Sequence, residues 1–248
     1  MSEINLGIIG GGQLGSLLSV AAKKLNIKTT IYSDDPDAPA QNFSDDFVFG
    51  NYNDKKKILE FINKVDLITY EFENIPFDTL NEINKLKKVL PKPSVNRLIQ
   101  HRLAEKDFVN KLNIRTTRYV SIEKKSDIET LEDFLPGILK TTTMGYDGKG
   151  QYPIKKITDL DNLNLDFSKG YVLEKLVKLK KEISVIITRF GNNNYGIYEP
   201  IENTHQDQIL NHSKIPAEIS KKILEQSTEW ATTICLLYTS PSPRDKRQ

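Results

Sequence analysis

Residues 4–15 read Ile-Asn-Leu-Gly-Ile-Ile-Gly-Gly-Gly-Gln-Leu-Gly. A short apolar run ends in a cluster of glycines, and Leu17, Leu18, Val20, Ala21, Ala22 and Leu25 then recur at helical spacing. Lys23 and Lys24 stand near the C-terminal end of that helix, where cations suit its dipole. Working outward, residues 27–32 and 47–49 supply a second and a third strand, and Ile58, Leu59, Phe61 and Ile62 a helix. Residues 66–70 form a fourth strand, and Leu80, Ile83 and Leu86 lie on another amphipathic helix. Such alternation predicts a parallel sheet covered on both faces, the α/β class. Pro91-Lys92-Pro93 breaks the pattern, so a first domain is expected over residues 1–95.

Past the prolines, Leu98, Ile99, Leu103, Phe108, Val109 and Leu112 mark a helix, residues 117–122 a strand, and residues 126–134 a further helix. Residues 171–177 and 182–190 are strand-rich, Gly191-Asn192-Asn193-Asn194 is a hairpin turn, and a helix is expected from Ala217 to Ala231. The second domain is expected over residues 96–234. Residues 235–248 end in Thr-Ser-Pro-Ser-Pro-Arg-Asp-Lys-Arg-Gln, a polar segment that cannot pack. It reads as a frayed tail or, from its abrupt change of character, as a sequencing or cloning scar.

Bulk properties exclude several classes. A chain of 248 residues with 38% hydrophobic and 27% charged residues is globular, neither disordered nor membranous. A net charge of +2, with lysine and glutamate interspersed, leaves no electrostatic footprint for nucleic acid. The single cysteine, Cys235, excludes an internal disulfide framework and a cysteine-rich zinc site. His101, His205 and His212 are too scattered for a metal cluster. No run reaches the ~18 apolar residues of a membrane span. With a strand and a glycine turn in place of a signal peptide, a reducing cytoplasm is expected.

Two glycine loops carry the functional signal. Residues 145–151 read Gly-Tyr-Asp-Gly-Lys-Gly-Gln, with glycines that bring bare N–H groups up to a ligand and so suit phosphate. Gly137-Ile138-Leu139-Lys140 upstream reads as a buried strand ending in a lysine, a point charge for the same anion. A solvated hairpin turn is the bland alternative for one such loop. Gly10, Gly12 and Gly15 fit a dinucleotide turn, with Asp34 and Asp35 at the end of the next strand, so a nicotinamide enzyme competes. Tyr70-Glu71-Phe72-Glu73-Asn74 sits past the carboxyl end of the fourth strand, where parallel sheets bind ligands. Glu174 and Glu182 could grip a ribose diol, or pair as edge carboxylates with Lys175 or Lys181. Arg189 and His205 taken singly read as surface or capping groups.

In order along the chain, Gly-Gly-Gly-Gln-Leu-Gly, Tyr-Glu-Phe-Glu-Asn-Ile-Pro, Gly-Tyr-Asp-Gly-Lys-Gly-Gln, Glu-Ile-Ser-Val-Ile and Glu-Asn-Thr-His-Gln-Asp resemble one family. It is 5-(carboxyamino)imidazole ribonucleotide synthase, the ATP-grasp enzyme of purine biosynthesis, and the resemblance runs from about residue 4 to about residue 234. It implies a Rossmann-like (pre-ATP-grasp) parallel sheet that holds aminoimidazole ribonucleotide, followed by an α+β ATP-grasp domain that is truncated. The implied reaction is that of an ATP-dependent ligase. ATP phosphorylates bicarbonate to carboxyphosphate, whose CO2 is captured by the exocyclic amine of the substrate.

By the same resemblance, ATP contacts fall on Arg102, Lys140, the loop Gly145, Tyr146, Asp147, Gly148, Lys149, Gly150 and Gln151, the hinge Glu174, Lys175, Leu176 and Val177, and on Glu182 and His205. Substrate contacts fall on Gln13, Leu14 and Glu73, with Tyr146, Asp147 and Lys149 facing the imidazole nucleotide. Lys140, Asp147 and His205 are the expected catalytic positions. Magnesium is implied, with its ligands expected in an acidic strand and an Asn-Glu pair that the family carries beyond the residues present here; none is assigned in this chain. A homodimer when complete, and transfer of the product to the mutase of the same pathway, are implied as well. Thr141-Thr142-Thr143-Met144 departs from the family's arginine and further glycine. The chain is expected to be an incomplete and inactive synthase. A formate-dependent glycinamide ribonucleotide transformylase, a nicotinamide oxidoreductase and a non-catalytic nucleotide-binding module are the alternatives.

Overall fold

In the computed structural model, which describes residues 4–144, 150–190, 194–206 and 209–239, β1 (Asn5–Ile9) runs through the glycine turn into α1 (Gln13–Lys24). Next come β2 (Lys28–Ser33), β3 (Asp46–Phe49), α2 (Lys55–Lys64), β4 (Leu67–Tyr70) and α3 (Phe77–Leu86). The strands form a parallel sheet in the order β3-β2-β1-β4. Side chains alternate across it. Ile9, Tyr32, Val48 and Ile68 pack with Phe61 and Ile62 of α2 and Leu80 and Ile83 of α3, while Ile8 and Ile31 pack on the other face with Leu18 of α1. Both faces are covered, which is why β3 and β4 read as short apolar runs, while β2 buries Thr29, Thr30 and Ser33 beside Ile31 and Tyr32. Asp54 starts α2, its carboxylate accepting the amides of Lys56 and Lys57 at 3.0 and 3.1 Å, which satisfies two orphan donors of the first turn.

The helix expected through Leu98 and Leu112 is two helices, α4 (Pro93–Ile99) and α5 (Arg102–Lys111). Pro93 opens α4, a position where its missing N–H costs nothing. The Gln100 amide then donates to the carbonyls of Glu73 (2.6 Å) and Ile75 (2.7 Å), tying the end of α4 to the segment between β4 and α3, and the His101 ring accepts the Ala104 amide to cap α5. The chain divides there into two units, Met1–Gln100 and His101–Gln248. The division falls just after the 95/96 boundary expected from the prolines.

In the second unit, β5 (Tyr119–Ile122), β6 (Gly137–Thr141), β7 (Gln151–Ile154) and β8 (Tyr171–Lys175) build an antiparallel sheet ordered β5-β8-β6-β7, with α6 (Lys125–Glu129) following β5. The helix expected over 126–134 is only α6 and a short 3-10 turn, Glu132–Phe134. Ile122, Leu139, Ile154, Tyr171 and Leu173 share one face and pack with Ile128 and Leu160. Because side chains alternate, Lys140 and Glu174 fall on the opposite face.

The apolar run 182–190 is two strands, because it changes partner. β9 (Glu182–Ser184) pairs with β12 (Ile201–Gln206), whereas β10 (Ile187–Arg189) pairs with β11 (Tyr195–Ile197). β12 also carries β13 (Ile209–Lys214) on its far side. The last helix, α7 (Lys221–Thr239), starts later than expected and continues through residues 235–239, the start of the segment expected to be a tail. The Leu236 carbonyl accepts from Arg189, so this turn is engaged with β10. Residues 240–248 lie outside the described residues.

Candidate functional site

Each unit presents polar groups on one edge or face. In the first, β1 ends at Gly10 with a φ of 109°, a left-handed value that favours glycine, and a Cβ there would lie 2.7 Å from Glu71 Oε1. The same carboxylate oxygen accepts the Gly12 amide at 3.0 Å. Around it opens a cavity of about 220 Å³ lined by the glycines 10–12, Asp34, Asp35, Tyr52 and Glu71. Burial, reinforced by Asp34, pushes the Tyr52 hydroxyl well above the usual tyrosine range, so it stays protonated as a donor. Gln13, Leu14 and Glu73 stand apart from this lining: all three are exposed, and the Glu73 carbonyl is taken by Gln100. Within Tyr70–Asn74, Glu71 is the carboxylate that faces the turn.

This arrangement bears on the nicotinamide alternative. A dinucleotide places its pyrophosphate against the amides of such a turn, and here a carboxylate already holds one of them. NADH titrated to micromolar concentrations should give no saturable fluorescence enhancement. A saturable signal would revive the oxidoreductase reading.

In the second unit, Glu174 of β8 is only 7% exposed and is held from two sides. Its Oε2 lies 3.0 Å from Lys140 Nζ of β6, and its Oε1 lies 3.0 Å from Lys106 Nζ of α5. Burial alone would push this carboxyl up, but hydrogen bonds and charge from Lys140 and Lys106 outweigh it and leave it below the usual glutamate range. Lys106 also lies over the Tyr119 ring, 5.4 Å from its centroid, and the Tyr119 hydroxyl donates to Asp107 (2.6 Å) and accepts from Asn110 (3.0 Å). Lys106 was missed in the sequence because a lysine on a lysine-rich helix carries no pattern. Its partner is on a distant strand.

Arg102 holds the end of β6 and the residues just after it. Its amide donates to the Thr142 carbonyl (2.8 Å) and its guanidinium to the carbonyls of Thr141 (2.7 Å) and Met144 (2.5 Å). Met144, one of the departures from the family pattern, has a φ of 59°, in the region that favours glycine. Gly145, Tyr146, Asp147, Gly148 and Lys149 lie outside the described residues. Gly150 and Gln151 close the other side, with the Thr141 amide donating to Gly150 and Gln151 paired across to Lys140.

Lys175 points to the other face, its ammonium donating to the carbonyls of Asp133 and Leu135, while its amide donates to the Arg118 carbonyl and its own carbonyl accepts the Thr117 hydroxyl, so this position of the hinge is taken up by the fold. Leu176 and Val177 are half exposed. Glu182 pairs with His205, Oε1 to Nδ1 3.4 Å, and Lys181 pairs instead with Glu202 at 2.8 Å. The edge pairings with Lys175 and Lys181 weighed from sequence therefore do not form.

Glu105, in the first turn of α5, has its carboxyl raised by burial and by the charge of Glu174, against the opposing charges of Lys106 and Arg102. A carboxyl raised in the folded state favours folding most below its unfolded value of about 4.3 and loses that contribution as pH rises through the folded value. Glu105→Gln should therefore stabilise the protein at pH 7 and lose its advantage in acid. Thermal melts at pH 7 and pH 3.5 read this directly; a destabilised variant at pH 7 would show that the carboxylate is needed there.

Comparison with known proteins places both units. Residues 1–100 match the ribonucleotide synthetase preATP-grasp domain, and residues 107–237 match the ATP-grasp domain. The chain belongs to the ATP-grasp family. It is 36% identical over 220 residues to N5-carboxyaminoimidazole ribonucleotide synthase of Staphylococcus aureus (strain MRSA252), covering 87% of this chain and 59% of that protein. An ADP complex of N5-carboxyaminoimidazole ribonucleotide synthetase superposes with a TM-score of 0.89 at 30% identity, over 96% of this chain and 66% of the other. The Staphylococcus aureus N5-carboxyaminoimidazole synthetase complexed with ADP gives 0.86 at 32% identity, over 94% and 63%. The ATP-grasp resemblance carried by the five sequence motifs is borne out, and so is the order of a parallel-sheet domain followed by an α+β ATP-grasp domain.

Proposed function

We propose that this ATP-grasp chain serves the ATP- and bicarbonate-dependent carboxylation of the exocyclic amine of 5-aminoimidazole ribonucleotide, through carboxyphosphate. The observation that carries the reading is the Lys140–Glu174–Lys106 cluster on the polar face of the antiparallel sheet, at the foot of the glycine loop. In phosphoryl transfer the protein mainly positions groups and neutralises charge. Lys140 would hold phosphate oxygens, Arg102 would hold the base of the loop 145–151, and the Val177 end of the hinge Glu174–Val177, where the main chain has left β8, would meet the adenine. Glu182 and His205 would complete the nucleotide site. The glycine turn of the first unit, faced by Glu71, would take the aminoimidazole ribonucleotide, with Gln13, Leu14 and Glu73 as the family's expected contacts outside that lining. A carboxylate at that turn suits the hydroxyls of a ribose or an exocyclic amine better than a second anion.

Magnesium belongs to the same reading, neutralising phosphate charge. Among the described residues, no group of three His, Cys, Asp or Glu side chains is placed to hold a metal ion, and no step is derived through it. A cytoplasmic homodimer that hands its product to the pathway's mutase completes the proposal; among the described residues no helix is long and apolar enough to cross a membrane. Calorimetric titration with ATP, then with aminoimidazole ribonucleotide and with glycinamide ribonucleotide, tests it. Binding of ATP and of the imidazole nucleotide is expected. Binding of glycinamide ribonucleotide instead would transfer the chain to the formate-dependent branch, and no nucleotide binding at all would sink the reading.

A further inference from the structure

One buried carboxylate is shared by two ammonium groups, with Glu105 near enough to feel the charge of Glu174 and of Lys106. Glu174 offers one charge, Lys106 and Lys140 bring two, and both lysines are largely enclosed, with side chains 16% and 22% exposed. Each carboxylate oxygen holds one ammonium at 3.0 Å, so neither lysine has Glu174 to itself. The two partners are also fixed to different degrees. Lys140 sits on β6, directly beside the strand that carries Glu174. Lys106 sits on α5 and is braced over the Tyr119 ring, whose hydroxyl is held by Asp107 and Asn110 of the same helix.

We infer that Lys106 is a positioning residue for the nucleotide site: by occupying half of the Glu174 carboxylate, it keeps Lys140 from being neutralised and leaves the strand lysine's charge available to a polyphosphate. Lys106 does not itself need to touch the nucleotide. Without it, Glu174 would close on Lys140 as an exclusive ion pair, and phosphate would have to compete with a carboxylate for that ammonium. The inference rests on the nucleotide reading proposed above for its consequence in binding, while the sharing itself is a property of the free protein.

The sharing makes a signed prediction. Lys106→Met should weaken ATP binding by about tenfold (about 1.4 kcal/mol), with a smaller change for AMP, which presents less phosphate charge. Removing the competing carboxylate should then undo the damage, so Lys106→Met/Glu174→Gln should bind ATP more tightly than Lys106→Met alone. Lys106→Arg, which keeps the charge, should stay close to wild type. A role in packing alone predicts the opposite for the double variant, which would bear two losses. The readout in the free protein is acylation of Lys140 by an amine-reactive ester, mapped by mass spectrometry in the 248-residue chain. It should fall in Lys106→Met and recover in the double variant. If the acylation pattern holds but no form of the chain binds ATP, the nucleotide reading fails and the charge sharing stands. Unchanged Lys140 acylation in Lys106→Met, or a double variant that binds ATP more weakly than the single, would overturn the inference.

Discussion

Lys140→Ala is expected to bind ATP about 10- to 150-fold more weakly than the wild-type chain, the loss of one charge-assisted contact worth about 1.5–3 kcal/mol. The lysine is the penultimate residue of β6, next to Leu139, which is locked in the core of the second unit, so its backbone is held while its ammonium stands on the polar face. The fold should tolerate the change, because Glu174 keeps Lys106 as its partner. Calorimetry with ATP, run beside a thermal melt, separates the two effects. Wild-type affinity in a folded variant would remove Lys140 from the site.

Glu174→Ala should cost the second unit about 3 kcal/mol, the low end of the range for removing one member of a buried ion pair. Two enclosed ammonium groups would then face each other with no carboxylate between them. The low end applies because both lysines keep some contact with water. The wild-type contribution also has a definite pH dependence. A carboxyl held below its ordinary range in the folded state stabilises fully above the unfolded value of about 4.3, and that stabilisation is lost as pH falls through the folded value. Urea unfolding at pH 7 should show the deficit, and between pH 5 and 3 the gap between wild type and variant should narrow. Equal stability at pH 7 would mean that the three charges are independently solvated.

The sequence carried the first unit almost whole, since its helices and strands announce themselves by period and its turn by glycines at 10, 12 and 15. Where reading along the chain failed, it failed for reasons of pairing. The apolar run 182–190 has one composition but two partner strands, and nothing local marks the change at Val185 and Ile186. Glu71 and Glu73 both follow β4 and look equivalent in sequence, yet only Glu71 folds back on the glycine turn. Glu174 was legible as polar in an apolar strand. That its partners are Lys140 and Lys106, and not its neighbour Lys175, follows from alternation across the sheet and from where α5 lies.

α5 has no fully buried residue, so its composition alone would suggest a helix that accepts change freely. Yet Arg102 reaches the carbonyls of Thr141 and Met144 while Lys106, one turn further on, reaches Glu174 on another strand. The helix is in effect a spacer of set angle between two docking points. One residue inserted after Ala104 would swing Lys106 by about 100° around the axis relative to Arg102 and move it about 1.5 Å along it. Only one of the two attachments could then survive, which makes this segment forgiving in composition and unforgiving in length.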